Sequence, residues 1–143
     1  MAEPFHDEIF GRLEWDAVLS CWLGGIDWPP GLHTEVAIWL PDGDLAAGLQ
    51  QARESLVWLR QHEEQTRFAV ALEMVEVYND IWRDEDEPIT ATEFTRRTEL
   101  VRIGFYDDGS LLLSYDGRNM FGGHVIDGMF EADRSFSGSS LVG

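Results

Sequence analysis

The chain contains 143 residues, and 44% of them are hydrophobic, including six Trp and eight Phe. A chain of this size buries roughly 70% of the surface it exposes when unfolded, so we expect a single domain over residues 1–143. The net charge of −17 comes from 27 acidic residues against ten arginines and no lysine. It argues against nucleic acid and anionic membranes, which are bound through Lys and Arg, and favours cationic partners.

The N-terminal third has the period-two alternation of β-strands. Three strands are predicted, within residues 10–15, 18–23 and 34–40. In the third, Val36, Ile38 and Leu40 fall on one face. Before it, the sequence Trp28-Pro29-Pro30-Gly31 predicts a turn or an extended link, because proline lacks a backbone donor and restricts the residue before it.

Three helices are predicted in the middle of the chain. The first follows Asp44, which can cap it, and its apolar stripe recurs every three or four residues: Leu45, Leu49, Ala52, Leu56 and Leu59. The second begins near Thr66 and ends before the acidic run Asp84-Glu85-Asp86-Glu87-Pro88. A short third helix follows the capping-box sequence Thr90-Ala91-Thr92-Glu93 and runs to about Thr98.

Strand patterns return after the helices, at residues 100–106, 111–115 and about 124–130. The first two flank Asp107-Asp108-Gly109-Ser110, and Asp-Gly is a strong hairpin signal because a type I′ turn needs positive φ at both central positions. Residues 135–143 are rich in Ser and Gly, and we expect a flexible tail there unless Phe136 or Leu141 docks.

The predicted order of elements is βββ-ααα-βββ. Runs of strands and helices that are segregated in this way are typical of α+β folds. We therefore expect mostly antiparallel strands with the helices packed on one face of the sheet. The pattern leaves open whether the strands form one sheet or two.

Several features favour a cytoplasmic protein. No apolar run approaches the ~20 residues that cross a bilayer, and the first eight residues are acidic where a signal peptide would be basic and then apolar. The single cysteine, Cys21, cannot form an internal disulfide. Its apolar neighbours predict a buried thiol rather than a nucleophile.

Several short motifs resemble those of a known group of proteins. They are Phe10-Gly11-x-Leu13-x-Trp15, Asn79-x-x-Trp82, and the Asp108-Gly109 hairpin followed by Met120-Phe121-Gly122-Gly123-His124-x-Ile126. In these motifs the chain resembles small bacterial proteins catalogued as a domain of unknown function. Such families are similar to the immunity proteins that accompany bacterial toxins, and this analogy implies a protein partner. The resemblance gives no catalytic residues to carry over.

The segment Gly122-Gly123-His124 is a candidate functional or structural turn. Paired glycines allow the positive φ that a tight bend needs, and the His124 ring nitrogens can satisfy backbone groups there. The alternative is a general base or a metal ligand. A catalytic partner is hard to find, because strand alternation puts Asp127 on the opposite face, and no spacing selects Asp116.

The sequence contains no recognised enzyme or metal signature. His33-Thr34-Glu35 has the spacing of zinc deaminases, but the Pro-Cys-x-x-Cys segment that completes their site is absent. The acids around Asp80 to Asp86 lack the glycine and the closing glutamate of an EF-hand. P-loop, dinucleotide-binding and nucleophile-elbow motifs are also absent. We therefore predict no cofactor, no metal and no catalytic residues.

The acidic surface of the second predicted helix is the strongest functional signal. Its candidate partner-binding residues combine carboxylates with two aromatic side chains: Glu73, Glu76, Tyr78, Asp80, Trp82, Asp84, Glu85, Asp86 and Glu87. Aromatic anchors among acids suit a cationic protein surface. The alternatives are that these acids form a solvated face and that the tryptophan belongs to the core.

These observations predict a non-enzymatic acidic binding protein. An immunity-like role, in which the chain occludes a basic toxin or another cationic partner, is the leading hypothesis. A small enzyme or ligand-binding domain that uses His124 is the first alternative. A structural or oligomerisation module is the second.

Overall fold

Eight strands form one sheet, in which neighbours follow the order of the chain. The computed structural model describes residues 3–28, 33–40 and 45–143. The first four strands are β1 (Phe5–Asp7), β2 (Gly11–Asp16), β3 (Cys21–Asp27) and β4 (His33–Ile38). The helical part consists of α1 (Leu45–Val77), a π-helical turn (Tyr78–Trp82) and α2 (Ala91–Arg96). The last four strands are β5 (Glu99–Phe105), β6 (Leu111–Asp116), β7 (Val125–Phe130) and β8 (Phe136–Val142).

The sheet is mixed, because β4 and β5 pair in parallel while the other six pairings are antiparallel. Val36 on β4 lies opposite Ile103 on β5. A parallel pair requires a long crossover connection, and the helices supply it. Two antiparallel four-stranded halves therefore join in a single sheet. The predicted order βββ-ααα-βββ is wrong, since four strands, two α-helices and four strands follow one another in the described chain.

The first two predicted helices are a single helix of 33 residues, about 50 Å long. The sequence pattern predicts a first helix with its apolar stripe as far as Leu59 and a second helix that begins near Thr66. None of residues 60–65 is Gly or Pro, however, and helix formers dominate this stretch. Thr66 does not cap a helix. Its hydroxyl donates a hydrogen bond to the Glu63 carbonyl oxygen at 2.8 Å, which is how threonine behaves inside a helix.

The predicted cap of α2 and the predicted hairpin between β5 and β6 are both confirmed. Thr90 Oγ1 accepts a hydrogen bond of 3.2 Å from the backbone N–H of Glu93 and caps α2. In the hairpin, the Gly109 N–H donates to the Tyr106 carbonyl oxygen at 3.0 Å. Of Asp108 and Gly109 only the glycine has positive φ, +89°, so the turn is not the expected type I′.

The core lies between α1 and one face of the sheet. Its largest fully buried side chains come from strands in both halves of the sheet and from both helices: Leu13, Ile38, Leu59, Phe94, Leu100, Ile103, Leu111, Leu113, Tyr115 and Ile126. On β7, a Cβ added to Gly128 would stand 2.5 Å from Val70 Cγ2 on α1. The absence of a side chain at Gly128 therefore sets how closely the helix approaches the sheet.

Both edge strands were missed by the sequence analysis. Residues 136–142, where a flexible tail was expected, form β8 along β7. Phe136 packs against Phe130 with ring centroids 5.3 Å apart, and Leu141 packs against the core. At the other edge, the three-residue strand β1 places Phe5 opposite Leu13. Docked apolar side chains therefore hold a segment whose Ser and Gly content argued for disorder.

Two sequence predictions fall outside the described residues, namely the link that follows Trp28 and the cap at Asp44. Cys21 is fully buried with a free thiol, as predicted, and this burial raises the pKa of the thiol. In the part of the chain that the structure describes, no helix is both long enough and apolar enough to span a membrane.

Candidate functional site

The Asn79-x-x-Trp82 motif and the Phe121-Gly122-Gly123-His124 segment are distant in sequence but meet at the end of α1. Phe121 is fully buried, and its ring centroid lies 6.0 Å from that of Tyr78 and 5.7 Å from that of Trp82. The backbone N–H of Arg83 donates to the Tyr78 carbonyl oxygen at 2.8 Å, five residues back, which is the hydrogen bond of a π-helix. This turn of the helix directs both Tyr78 and Trp82 onto Phe121.

The glycine pair forms the bend between β6 and β7. Gly122 and Gly123 have φ of +62° and +91°, a region that side chains other than glycine rarely occupy. The backbone N–H of His124 closes the bend by donating to the Phe121 carbonyl oxygen at 3.1 Å. The His124 ring lies edge-on to Trp82 with centroids 5.8 Å apart. The sequence suggests that the His124 imidazole satisfies a backbone group at this bend. The hydrogen bond comes instead from the backbone N–H of His124.

The carboxylates considered as partners for His124 are engaged elsewhere. Asp127 Oδ1 accepts a hydrogen bond of 2.7 Å from the Ser114 hydroxyl, and Asp116 Oδ1 accepts one of 2.7 Å from the Arg118 N–H. His124 makes no side-chain hydrogen bond to any described residue. The bend therefore offers a packed imidazole without the orienting carboxylate that a general base requires.

Asn79 holds the loop that leaves the π turn, a role that the Asn-x-x-Trp motif did not reveal from sequence. Its Nδ2 donates to the Ile89 carbonyl oxygen at 2.9 Å, and its Oδ1 accepts from the Ile89 N–H at 3.0 Å. Arg83 adds two bonds, from Nε to the Asn79 carbonyl oxygen at 2.7 Å and from Nη1 to the Asp86 carbonyl oxygen at 2.8 Å. Residues 83–89 are thereby fixed against the end of the helix.

Six exposed carboxylates gather at this end of the molecule, and we call them the acidic tip: Glu76, Asp80, Asp84, Glu85, Asp86 and Glu87. The described residues form six ion pairs, which engage Arg12, Arg53, Arg67, Arg96, Arg97 and Arg102. None of these ion pairs includes a carboxylate of the acidic tip. The helix that carries Glu76 begins at Leu45, so the predicted start near Thr66 is wrong.

The remaining predicted partner-binding residues occupy different positions. Glu73 Oε1 accepts hydrogen bonds from the Ser139 N–H, at 2.9 Å, and from the Ser139 hydroxyl, so this carboxylate is engaged with β8. Tyr78 is only 3% exposed, and Trp82 is half-buried against Phe121. The exposed apolar side chain beside the acidic tip is Ile81, at 74% exposure.

Three arginines lie near the acidic tip without forming an ion pair with it. Arg83 bonds to backbone carbonyl oxygens, as described above. Arg97 and Arg118 line a cavity of about 290 Å³ together with Asp86, but among the described residues no guanidinium nitrogen comes within 4.0 Å of that carboxylate. Of the six carboxylates, Asp86 is therefore the one partly facing internal cations.

The described residues contain no group of three or more His, Cys, Asp or Glu side chains arranged to hold a metal ion. The titratable side chains at the end of α1 are thus the exposed carboxylates of the acidic tip, the buried Tyr78, the packed His124 imidazole and the three arginines. Such an arrangement supports electrostatic binding of a cation better than proton transfer.

Comparison with known proteins gives one match. The family described as "Uncharacterized protein conserved in bacteria (DUF2262)" matches residues 7–141. Neither the curated proteins nor the solved structures contain a match.

Proposed function

The chain belongs to the DUF2262 family of bacterial proteins, and we propose that it is a non-enzymatic binding protein whose acidic tip covers a basic protein surface. The observation that supports this most is the distribution of charge. Six of the ten arginines form ion pairs, yet the six carboxylates of the acidic tip have none among the described residues. Their charge is free to act on a partner.

The rigidity of the acidic tip also supports binding. The bonds of Asn79 and Arg83 fix the backbone of the loop, so the positions from which its carboxylates extend are set before a partner arrives. Ordering a loop on association lowers affinity, and this cost is reduced when the loop is preorganised. Ile81 supplies an exposed apolar contact among the charges. An apolar centre with a charged rim is the usual anatomy of a specific interface.

Occlusion is the mechanism that we propose. A toxin that acts on nucleic acid or on an anionic surface must expose cations, and the acidic tip would cover them. The complementary field of a chain with net charge −17 would also accelerate association. In this role the chain resembles the immunity proteins of bacterial toxins. We propose the cytoplasm as its compartment, where the Cys21 thiol stays reduced.

The test distinguishes the effect of the acidic tip on binding from the effect of the net charge of the chain. In one variant Glu76, Asp80, Asp84 and Glu85 are all changed to their amides. A control variant changes four exposed acids elsewhere, Glu3→Gln, Glu8→Gln, Asp107→Asn and Glu131→Gln. Both variants lose four negative charges, so they differ only in where the charge is lost.

The parent protein, the tip variant and the control variant are each immobilised. Basic bacterial proteins that bind to them are then identified, and the Kd of each complex is measured at several salt concentrations. Exposed charge pairs contribute about 0.5 kcal/mol each, so the tip variant should lose about 2 kcal/mol, roughly thirtyfold in Kd. The control should lose less than about threefold, and affinity should fall as salt rises. A partner that binds the parent and the tip variant equally would refute the proposal.

A further inference from the structure

A second concave site lies about 20 Å from the acidic tip along α1, between that helix, α2 and the end of β3. Its volume is about 480 Å³. Small-molecule sites span roughly 300–1,000 Å³. Trp28 and Phe68 supply its aromatic walls, Glu63 and Arg67 its base, and Glu64 and Arg96 its charged rim.

At the base of this cavity, the charges of Glu63 and Arg67 neutralise each other. Arg67 donates from Nε and Nη2 to Glu63 Oε1, at 3.0 and 2.5 Å, and from Nη1 to the Thr98 carbonyl oxygen at 2.9 Å. Its guanidinium carbon also lies 5.4 Å from the ring centroid of Tyr115. The Arg67 charge is therefore fully engaged. The buried Tyr115 hydroxyl beside this pair makes no hydrogen bond of normal geometry to the described residues.

The rim carries one charge of each sign. Glu64 is exposed on α1 and forms no ion pair with a described residue. Arg96 on α2 has a side chain that is 73% exposed, and it lies 3.7 Å from Glu93, at the outer limit of an ion pair. Glu93 is also the partner of Arg97, at 3.2 Å. Both rim charges are thus available to a ligand.

Of the two aromatic side chains that line the cavity, one is buried and the other is exposed. Trp28 is 6% exposed, and the Arg60 guanidinium carbon lies 4.8 Å from its ring centroid. Phe68 is 40% exposed on α1. An apolar group that entered between them would remove the open face of Phe68 from water, which is a favourable transfer.

We propose that this cavity binds a free amino acid with an apolar or aromatic side chain. The ligand ammonium pairs with Glu64, its carboxylate pairs with Arg96, and its side chain lies between Trp28 and Phe68. A simple cation would leave Arg96 with only its long contact of 3.7 Å to Glu93. A simple anion would leave Glu64 without a partner and would also meet the repulsion of a chain with net charge −17. A zwitterion satisfies both rim charges.

The probes are L-phenylalanine, phenethylamine, which lacks the carboxylate, and 3-phenylpropionate, which lacks the amine. Binding is measured by calorimetry and by the NMR shifts of the Trp28 indole N–H. Two partly exposed ion pairs and one apolar contact should give a Kd of about 1 mM. Each incomplete analogue should bind about two- to fivefold more weakly, because it forfeits one ion pair.

The test variants are Glu64→Gln and Arg96→Gln, whose exposed positions leave folding intact. Each should weaken phenylalanine about fivefold, and Glu131→Gln and Arg118→Gln serve as exposed controls that should not. The proposal is overturned if phenylalanine fails to bind saturably up to about 10 mM. It is equally overturned if phenethylamine or 3-phenylpropionate binds as well as phenylalanine, or if only indole signals other than that of Trp28 shift.

Discussion

Replacing Asp7 with alanine should destabilise the fold far more than its position in a three-residue edge strand suggests. Asp7 is 3% exposed. Its Oδ2 accepts hydrogen bonds from the N–H groups of Ile9 and Phe10, at 2.9 and 3.0 Å, and its Oδ1 pairs with Arg53 Nη2 on α1. One side chain thus ties the β1–β2 turn to the long helix.

The magnitude follows from these three bonds. Hydrogen bonds to a charged group contribute about 1.5–3 kcal/mol each, and removing one partner of a buried ion pair costs about 3–5 kcal/mol. The Arg53 side chain is 29% exposed, so water partly compensates its lost partner. We expect Asp7→Ala to lower the free energy of unfolding by about 3 kcal/mol.

Asp16 offers a matched control. Its Oδ1 accepts bonds from the N–H groups of Val18 and Leu19, at 2.9 and 3.0 Å, in the same local geometry but in an exposed turn and without an arginine. Asp16→Ala should therefore cost only about 1 kcal/mol. Urea unfolding of both variants measures the difference. Equal losses would show that burial and Arg53 add nothing, and the reasoning would be refuted.

The contribution of Asp7 should also depend on pH. Burial acts to raise the pKa of Asp7, but the hydrogen bonds from Arg53 and from the two N–H groups outweigh it, so the folded-state pKa is lowered. A lowered pKa adds stability above the unfolded value of about 3.9 and loses it as pH falls through the folded value. The stability gap between parent and Asp7→Ala should therefore be constant at neutral pH and shrink below about pH 4.

Three further predictions concern the helix and its contacts. Asn79→Ala removes two hydrogen bonds to the backbone, so it should cost about 2 kcal/mol and speed proteolysis of residues 83–89. Gly128→Ala should cost about 1–3 kcal/mol in thermal unfolding because its Cβ would overlap Val70, and Val70→Ala in the same chain should recover part of the loss. Glu73→Ala frees the Ser139 N–H on an edge strand, so light scattering should detect increased self-association, whereas an unchanged monomer would contradict this role.

Elements with a strong local signal could be predicted from the sequence. The capping box at Thr90, the Asp-Gly hairpin and the six inner strands all depend on residues close together in the chain. The same local reasoning failed at residues 60–65, because this polar stretch interrupts the apolar stripe. Within the fold, Glu63 is buried there and pairs with the partly exposed Arg67 one turn further on, and this burial is not visible in a sequence pattern.

Features that depend on contacts between distant residues could not be predicted. The parallel pairing of β4 with β5 joins segments more than 60 residues apart. The strand β8 depends on Phe136 meeting Phe130 and on Glu73 meeting Ser139. For the candidate site, the prediction of an acidic surface rests on the closeness of these acids in the chain. Tyr78, one of the predicted partner-binding residues, is buried instead, because it begins the π turn that packs on Phe121.

The acidic tip owes its orientation to the C-terminal half of the sheet as well as to its own helix. Trp82 precedes the acidic loop directly and packs against Phe121 and His124, which belong to the bend between β6 and β7. Gly122 allows this bend because its φ of +62° lies in a region that other residues rarely adopt. The motif that contains Trp82 and the glycine bend before His124 therefore form one structural unit. The glycine bend positions the end of α1, Asn79 fixes the loop beyond it, and the carboxylates of that loop face solvent in a set geometry.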